Sequence, residues 1–115
     1  FIGSKKGEFF RSLLVDEKNK FMTVECCLAE VRSWSLRYNK DFTLLFRVIR
    51  ANSEIVSMTE YDWIKAGEER FEQRKKQENF GLIDATLLVK QDEYNCKVIS
   101  GDPHFKNLKN VVFLE

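Results

Sequence analysis

Proline occurs once in this chain of 115 residues and glycine five times, with no run of either. A disordered linker or a low-complexity segment would need a different composition. Cysteine is scarce and poorly spaced for crosslinking: Cys26 and Cys27 are adjacent, and Cys96 stands alone. That excludes a disulfide framework or a CxxC pattern, and reduced thiols in a cytoplasmic protein are the simplest account. Apolar runs reach only a few residues, too short to span a bilayer, and no basic segment leads into an apolar core as in a signal peptide. The single histidine, His104, has no serine- or cysteine-based triad to join and reads as a loop hydrogen-bonding residue. The scattered glycines exclude a phosphate-cradling loop. Neither sign of charge dominates, because 19 basic residues face 18 acidic ones for a net charge of +1. A general polyanion-binding surface is therefore excluded, but a local basic patch is not. Lys5, Lys6, Arg11, Arg37, Lys40, Arg47, Arg50, Lys75 and Lys76 are candidates for phosphate contacts, and each also reads as ordinary surface charge.

What the chain does have is core material: 43% hydrophobic residues, including ten phenylalanines. Its length fits one domain, since domains commonly run from about 50 to 250 residues. Phe9, Phe10, Leu13 and Leu14 recur at helical spacing, and Lys20 to Val24 reads as a short buried strand. A helix is predicted from about Glu25 to Tyr38, with Cys27, Val31 and Trp34 on one face and Leu28 beside them. Asp41 caps the next helix, which carries Phe42, Leu45, Phe46 and Ile49 along one side. Glu54 to Met58 is a second strand. Thr59 then opens a long charged helix to about Gln77, with Trp63, Ile64, Gly67 and Phe71 as its buried line and Glu72 paired with Lys76. After Asn79-Phe80-Gly81 come a helix from Leu82 to Tyr94, a strand from Cys96 to Ser100, a loop and a last strand from Val111 to Leu114. Helices alternating with short buried strands predict an α/β fold with a parallel sheet covered on both faces.

Three carboxylates hold unusual positions in this pattern. Glu30 lies between Cys27 and Trp34 on the predicted apolar stripe, Asp84 sits in the first turn of a helix beside Leu87 and Leu88, and Asp102 follows a strand across one glycine. Singly, each has an ordinary reading. Glu30 could lie at the edge of its stripe, Asp84 could be stabilised by the helix dipole, and Asp102 could form a turn before Pro103. Together they imply more. Helices that follow strands start at the edge of a parallel sheet where the ligand crevice lies, so the three can converge. Carboxylates so gathered repel one another and are costly to bury unpaired, and hard oxygen ligands suit Mg²⁺ or Mn²⁺ rather than zinc.

The stretch "GLIDATLLVKQDEYNCKVISGDPHFKNLKNVVFL", from Gly81 to Leu114, resembles the C-terminal half of PIN domains, especially VapC-type toxins of archaea and bacteria. "CLAEV", from Cys27 to Val31, is similar to the family's helical glutamate motif. The resemblance covers nearly the whole chain as a single domain, residues 1–115. It implies a three-layer α/β/α fold with a short central parallel sheet flanked by helices. It also implies that Glu30, Asp84 and Asp102 are metal-site carboxylates. Ser100 would stand where the family often has a hydroxyl that touches water or substrate phosphate; the other reading is a strand-end serine bonded to backbone. The family's first aspartate has no counterpart, because no acid precedes Glu8 and the spacing of Glu8 is wrong. The strand that carries it is expected upstream of residue 1; the other reading is a defective site that lacks this acid.

The expected function is a Mg²⁺- or Mn²⁺-dependent endoribonuclease acting on RNA. Likeness to the VapC group further implies a toxin that forms a homodimer and is covered by a cognate antitoxin. Two alternatives stay open: a catalytically silent PIN-like scaffold that binds RNA or a protein partner, and an unrelated α/β interaction domain whose acids are coincidental.

Overall fold

The computed structural model describes residues 18–114 together with Ser12, Val15 and Asp16. Phe9, Phe10, Leu13 and Leu14, whose spacing predicts a helix, and Glu8 lie outside the described residues. The described elements run β1 (Met22–Val24), α1 (Cys27–Arg37), α2 (Phe42–Asn52), β2 (Glu54–Val56), α3 (Glu60–Arg74), α4 (Leu82–Tyr94), β3 (Val98–Ser100), a 3₁₀ turn (Pro103–Phe105) and β4 (Val111–Phe113).

Local chemistry explains most boundaries. Asp41 caps α2 by accepting the Leu44 N–H at 3.2 Å. Thr59 and Asp62 bond each other's backbone at the start of α3, a reciprocal capping box. Asn95 ends α4 in the left-handed region at φ 48°, where asparagine is tolerated better than most residues.

The strands form two parallel pairs. β1 lies against β2 with Thr23 opposite Ile55, and β3 lies against β4 with Ile99 opposite Val112. The molecule is thus mixed α/β, with parallel strands as the alternating pattern requires. The β3–β4 connection is short for parallel strands, which usually need a crossover of about a dozen residues or more. Here residues 101–110 and one 3₁₀ turn suffice.

The core lies where α3, α4, β3 and the 3₁₀ turn meet, around Ala66, Phe80, Ala85, Leu88, Val89, Val98 and Phe105. Phe80 and Phe105 are fully buried with ring centroids 5.8 Å apart. Each such side chain stabilises the fold by about 1.5–3 kcal/mol. The half built from β1, α1, α2 and β2 is thinner, and α2 contains no buried residue.

Two predicted faces are rotated. Along α3 the inward residues are Asp62 and Ala66, while Ile64 and Phe71 are 60% and 65% exposed and Trp63 is exposed as well. The Asp62 carboxylate turns inward to meet Lys90 of α4, and the apolar neighbours turn outward with it. Along α1 the buried residue is Ser35, and Trp34 is 47% exposed. Glu30 is accordingly exposed at the rim of α1, not within an apolar stripe. Glu72 pairs with Lys75 at 3.0 Å and not with Lys76.

Candidate metal centre

Asp84 is fixed by its helix. In the first turn of α4, its Oδ2 accepts the Gly81 N–H at 3.4 Å. The helix around it is anchored by Thr86, which is fully buried, donates to the Ile83 carbonyl at 2.6 Å and lies 3.3 Å from Cys26 Sγ. That last contact ties the start of α1 to the start of α4.

Asp102 is fixed by its turn. Its Oδ1 accepts the His104 N–H at 2.9 Å, and its own N–H donates to Ser100 Oγ at 3.0 Å. Both ordinary readings of these residues therefore hold locally: Asp102 forms the turn before Pro103, and Ser100 bonds to backbone. Neither role uses up the side chain. Asp102 keeps its second carboxylate oxygen, and Ser100 keeps its hydroxyl proton.

These two elements bring Asp84 and Asp102 to one place, because α4 and β3 are consecutive and run in opposite directions. His104 stands between them. Its Nδ1 is 3.1 Å from Asp84 Oδ2 and 3.3 Å from Asp102 Oδ1. The ring packs against Phe80 with centroids 5.7 Å apart, and the His104 carbonyl accepts from Gln77 Nε2 at 2.8 Å. His104 is a hydrogen-bonding loop residue as expected, but its place in the acidic site was not foreseen. The signal available was its position two residues after Asp102, inside a turn that Asp102 itself caps.

Asp84, Asp102 and His104 each offer one ligand atom, and these atoms lie within 4.8 Å of one another. An octahedral Mg²⁺ with ligands at about 2.0–2.1 Å has donors about 3 Å apart on each edge and about 4.2 Å apart across it. A spread of up to 4.8 Å is slightly wider than that, so the group could hold a metal ion after a small inward shift of its side chains. Two carboxylates keep the donor set hard, while the imidazole favours Mn²⁺ over Mg²⁺.

Glu30 stands outside this tight group but feels it. Burial, then the charge of Asp84, then that of Asp102 push its carboxyl above the ordinary value. Next to it, burial first, then Cys26, Glu30 and Asp84 push the Cys27 thiol up to about 12. Both shifts come first from burial and then from negative charge where the starts of α1 and α4 meet the end of β3. The candidate basic residues Arg37, Lys40, Arg47, Arg50, Lys75 and Lys76 are all exposed. Three of them lie over aromatic rings: Arg37 on Tyr38, Arg50 on Phe46 and Lys75 on Phe71. Lys5, Lys6 and Arg11 lie outside the described residues. Among the described residues no helix is long and apolar enough to cross a membrane.

A scan against protein-family models, a search of curated proteins and a search of solved structures each return no match for this chain.

Proposed function

We propose that this chain is a Mg²⁺- or Mn²⁺-dependent endoribonuclease with a PIN-like, three-layer α/β/α architecture. The observation that carries the reading is the convergence of Asp84 and Asp102 around His104, with Glu30 close enough to be shifted by both carboxylates. Asp84 and Asp102 would hold the ion. His104 would either complete the donor set or, through an Nδ1 proton, orient Asp84; conserving that geometry serves affinity in both cases. A divalent ion there supplies Lewis-acid polarisation of a phosphodiester and a lower pKa for the attacking water. Glu30, with its carboxyl raised above the ordinary value by burial and then by Asp84 and Asp102, suits the role of proton acceptor. Ser100 would direct its remaining hydroxyl proton to a substrate phosphate oxygen. Single-stranded RNA is the easiest substrate to admit, since its backbone and bases are free of a duplex.

On the same reading, by its likeness to VapC-type toxins, the protein would be cytoplasmic, dimeric and inhibited by an antitoxin. The test is cleavage of a labelled single-stranded RNA with Mn²⁺, with Mg²⁺ and with chelator. Cleavage should require the metal and fall to background in Asp84→Asn and Asp102→Asn. RNA binding with no metal-dependent cleavage would favour the silent scaffold instead.

A further inference from the structure

Trp34 and Tyr38 are large aromatic residues left in water, 47% and 51% exposed. Their ring centroids lie 5.4 Å apart, and the Arg37 guanidinium carbon lies 5.4 Å from the centre of the Tyr38 ring. A single apolar side chain on a surface is ordinary, but exposed rings grouped together mark a place where something binds. These rings stand in line with the candidate metal centre. Residues four, seven and eight positions apart share one face of a helix, so Trp34, Arg37 and Tyr38 continue along α1 from Glu30. At about 1.5 Å per residue, Trp34 lies about 6 Å and Tyr38 about 12 Å beyond Glu30 along the axis. Glu30 in turn is close enough to Asp84 and Asp102 to be shifted by both.

The charge around these rings is almost entirely of one sign. From Val31 to Ser53 five cations, Arg32, Arg37, Lys40, Arg47 and Arg50, accompany a single acid, Asp41. All five are exposed, and among the described residues none of them is paired with a carboxylate. A chain of net charge +1 therefore carries a positive field over α1 and α2. The face of α3 differs. It too exposes rings beneath cations, Tyr61 under Lys65 and Phe71 under Lys75, but from Glu60 to Arg74 five acids oppose three cations. A polyanion is thus favoured on α1 and α2 and disfavoured on α3. Exposed rings beside unpaired cations suit single-stranded nucleic acid, because every base has a flat face to stack and every nucleotide a negative phosphate. An acidic protein surface would meet the cations but would offer the two rings no row of flat partners.

We infer that Trp34, Arg37 and Tyr38 form a subsite for single-stranded RNA, which leads one strand along α1 to the candidate metal centre. The two rings stack on bases, while Arg37 and Lys40 hold phosphates. The direction of the strand rests on the nuclease reading; the binding surface is measured apart from it, in chelator. A labelled single-stranded RNA of about 10 nucleotides is titrated with the protein by fluorescence anisotropy at several salt concentrations. Trp34→Ala should weaken binding by about 5- to 150-fold, the usual loss for one stacked base, and Trp34→Phe, which keeps a ring, should recover most of it. Arg37→Gln should weaken binding and flatten the slope of log affinity against log salt by about 0.7, the loss of one phosphate contact. Tyr61→Ala and Lys65→Gln, which break the like pair on α3, should bind as the wild type does. The inference is overturned if the wild type does not bind this RNA at low salt, or if Trp34→Ala and Arg37→Gln bind it unchanged. It is equally overturned if the α3 variants lose as much, or if the same face instead binds phosphatidylserine vesicles or a second copy of the chain in preference to RNA. Metal-dependent cleavage that survives Trp34→Ala and Arg37→Gln intact removes this subsite and keeps the nuclease reading. RNA binding lost in those variants, without metal-dependent cleavage in the wild type, keeps the surface and removes the nuclease.

Discussion

Lys90 Nζ lies 3.0 Å from Asp62 Oδ2, and both side chains are less than a tenth exposed. The pair joins α3 to α4 beside the core that positions Asp84. Burial alone would push the Lys90 ammonium down, but its bonds to Asp62 and Glu93 outweigh burial and hold it above the ordinary value. Breaking a buried pair by removing one partner leaves an uncompensated charge. Lys90→Met should therefore lower the thermal midpoint by several degrees, while Lys75→Met, which breaks the exposed pair with Glu72, should barely move it. Differential scanning calorimetry at neutral pH decides between them.

Acid should reveal the same contact from the other side. Hydrogen bonding to the Thr59 backbone, then the Lys90 bond, holds the Asp62 carboxyl down to about 2, from an ordinary 3.8. A depressed folded value stabilises the protein above the unfolded value and is lost as pH falls through the folded one. The stability gap between the wild type and Asp62→Asn should therefore be full at pH 5 and shrink steadily toward pH 2. A gap that stays constant over that window would show that Asp62 acts by packing alone.

Metal binding should register as stability. An ion that binds only the folded state at about 100 times its Kd adds about 2.7 kcal/mol, which is a shift of several degrees for a domain of this size. Mn²⁺ should raise the thermal midpoint of the wild type and chelator should reverse it. Asp84→Asn and Asp102→Asn should show no shift. His104→Ala should bind Mn²⁺ about 10–100-fold more weakly by calorimetric titration, as expected for a group that orients or completes a metal site.

The sequence marked elements well wherever a single residue type has a local job. Asp41 and Thr59 cap helices through their own side chains, and Gly81 and Asn95 bracket α4 at Leu82–Tyr94 as read. It marked faces poorly wherever a polar contact outranks apolar periodicity. Asp62 turns inward because Lys90 waits for it, and Trp63, Ile64 and Phe71 are exposed in consequence. The acids of the site were legible because Asp84 and Asp102 sit at the ends of elements that meet at one edge. His104 was harder to read, because its place two residues after Asp102 marks the turn, while the packing of its ring on Phe80 and its approach to Asp84 leave no mark in the spacing.

Cys27 should be unusually inert. Its thiol, pushed to about 12 from an ordinary 9.0, leaves about a thousandth of the usual thiolate at a given pH, and the thiolate is the reacting form. Timed iodoacetamide labelling of native protein at pH 8, read by peptide mass, should leave Cys27 unmodified long after an unfolded control has reacted. Mn²⁺ should speed its labelling, since an ion would offset part of the negative charge that Glu30 and Asp84 contribute.

Glu30 allows the sign of the site's electrostatics to be checked directly. Its folded value lies above the ordinary 4.5, through burial first and then through Asp84 and Asp102. The folded state therefore holds the proton more tightly than the unfolded chain does, and stability tied to Glu30 is present below the unfolded value and lost as pH rises through the folded one. In chelator, Glu30→Gln should be more stable than the wild type at pH 7, by a small margin because the side chain is exposed, and the difference should vanish toward pH 4. Added Mn²⁺ should shrink or reverse that advantage, because a cation turns the repulsion among Glu30, Asp84 and Asp102 into attraction. If Glu30→Gln instead destabilises the metal-free protein at pH 7, its carboxylate is held by favourable contacts, and its part in a repulsive acidic cluster is wrong.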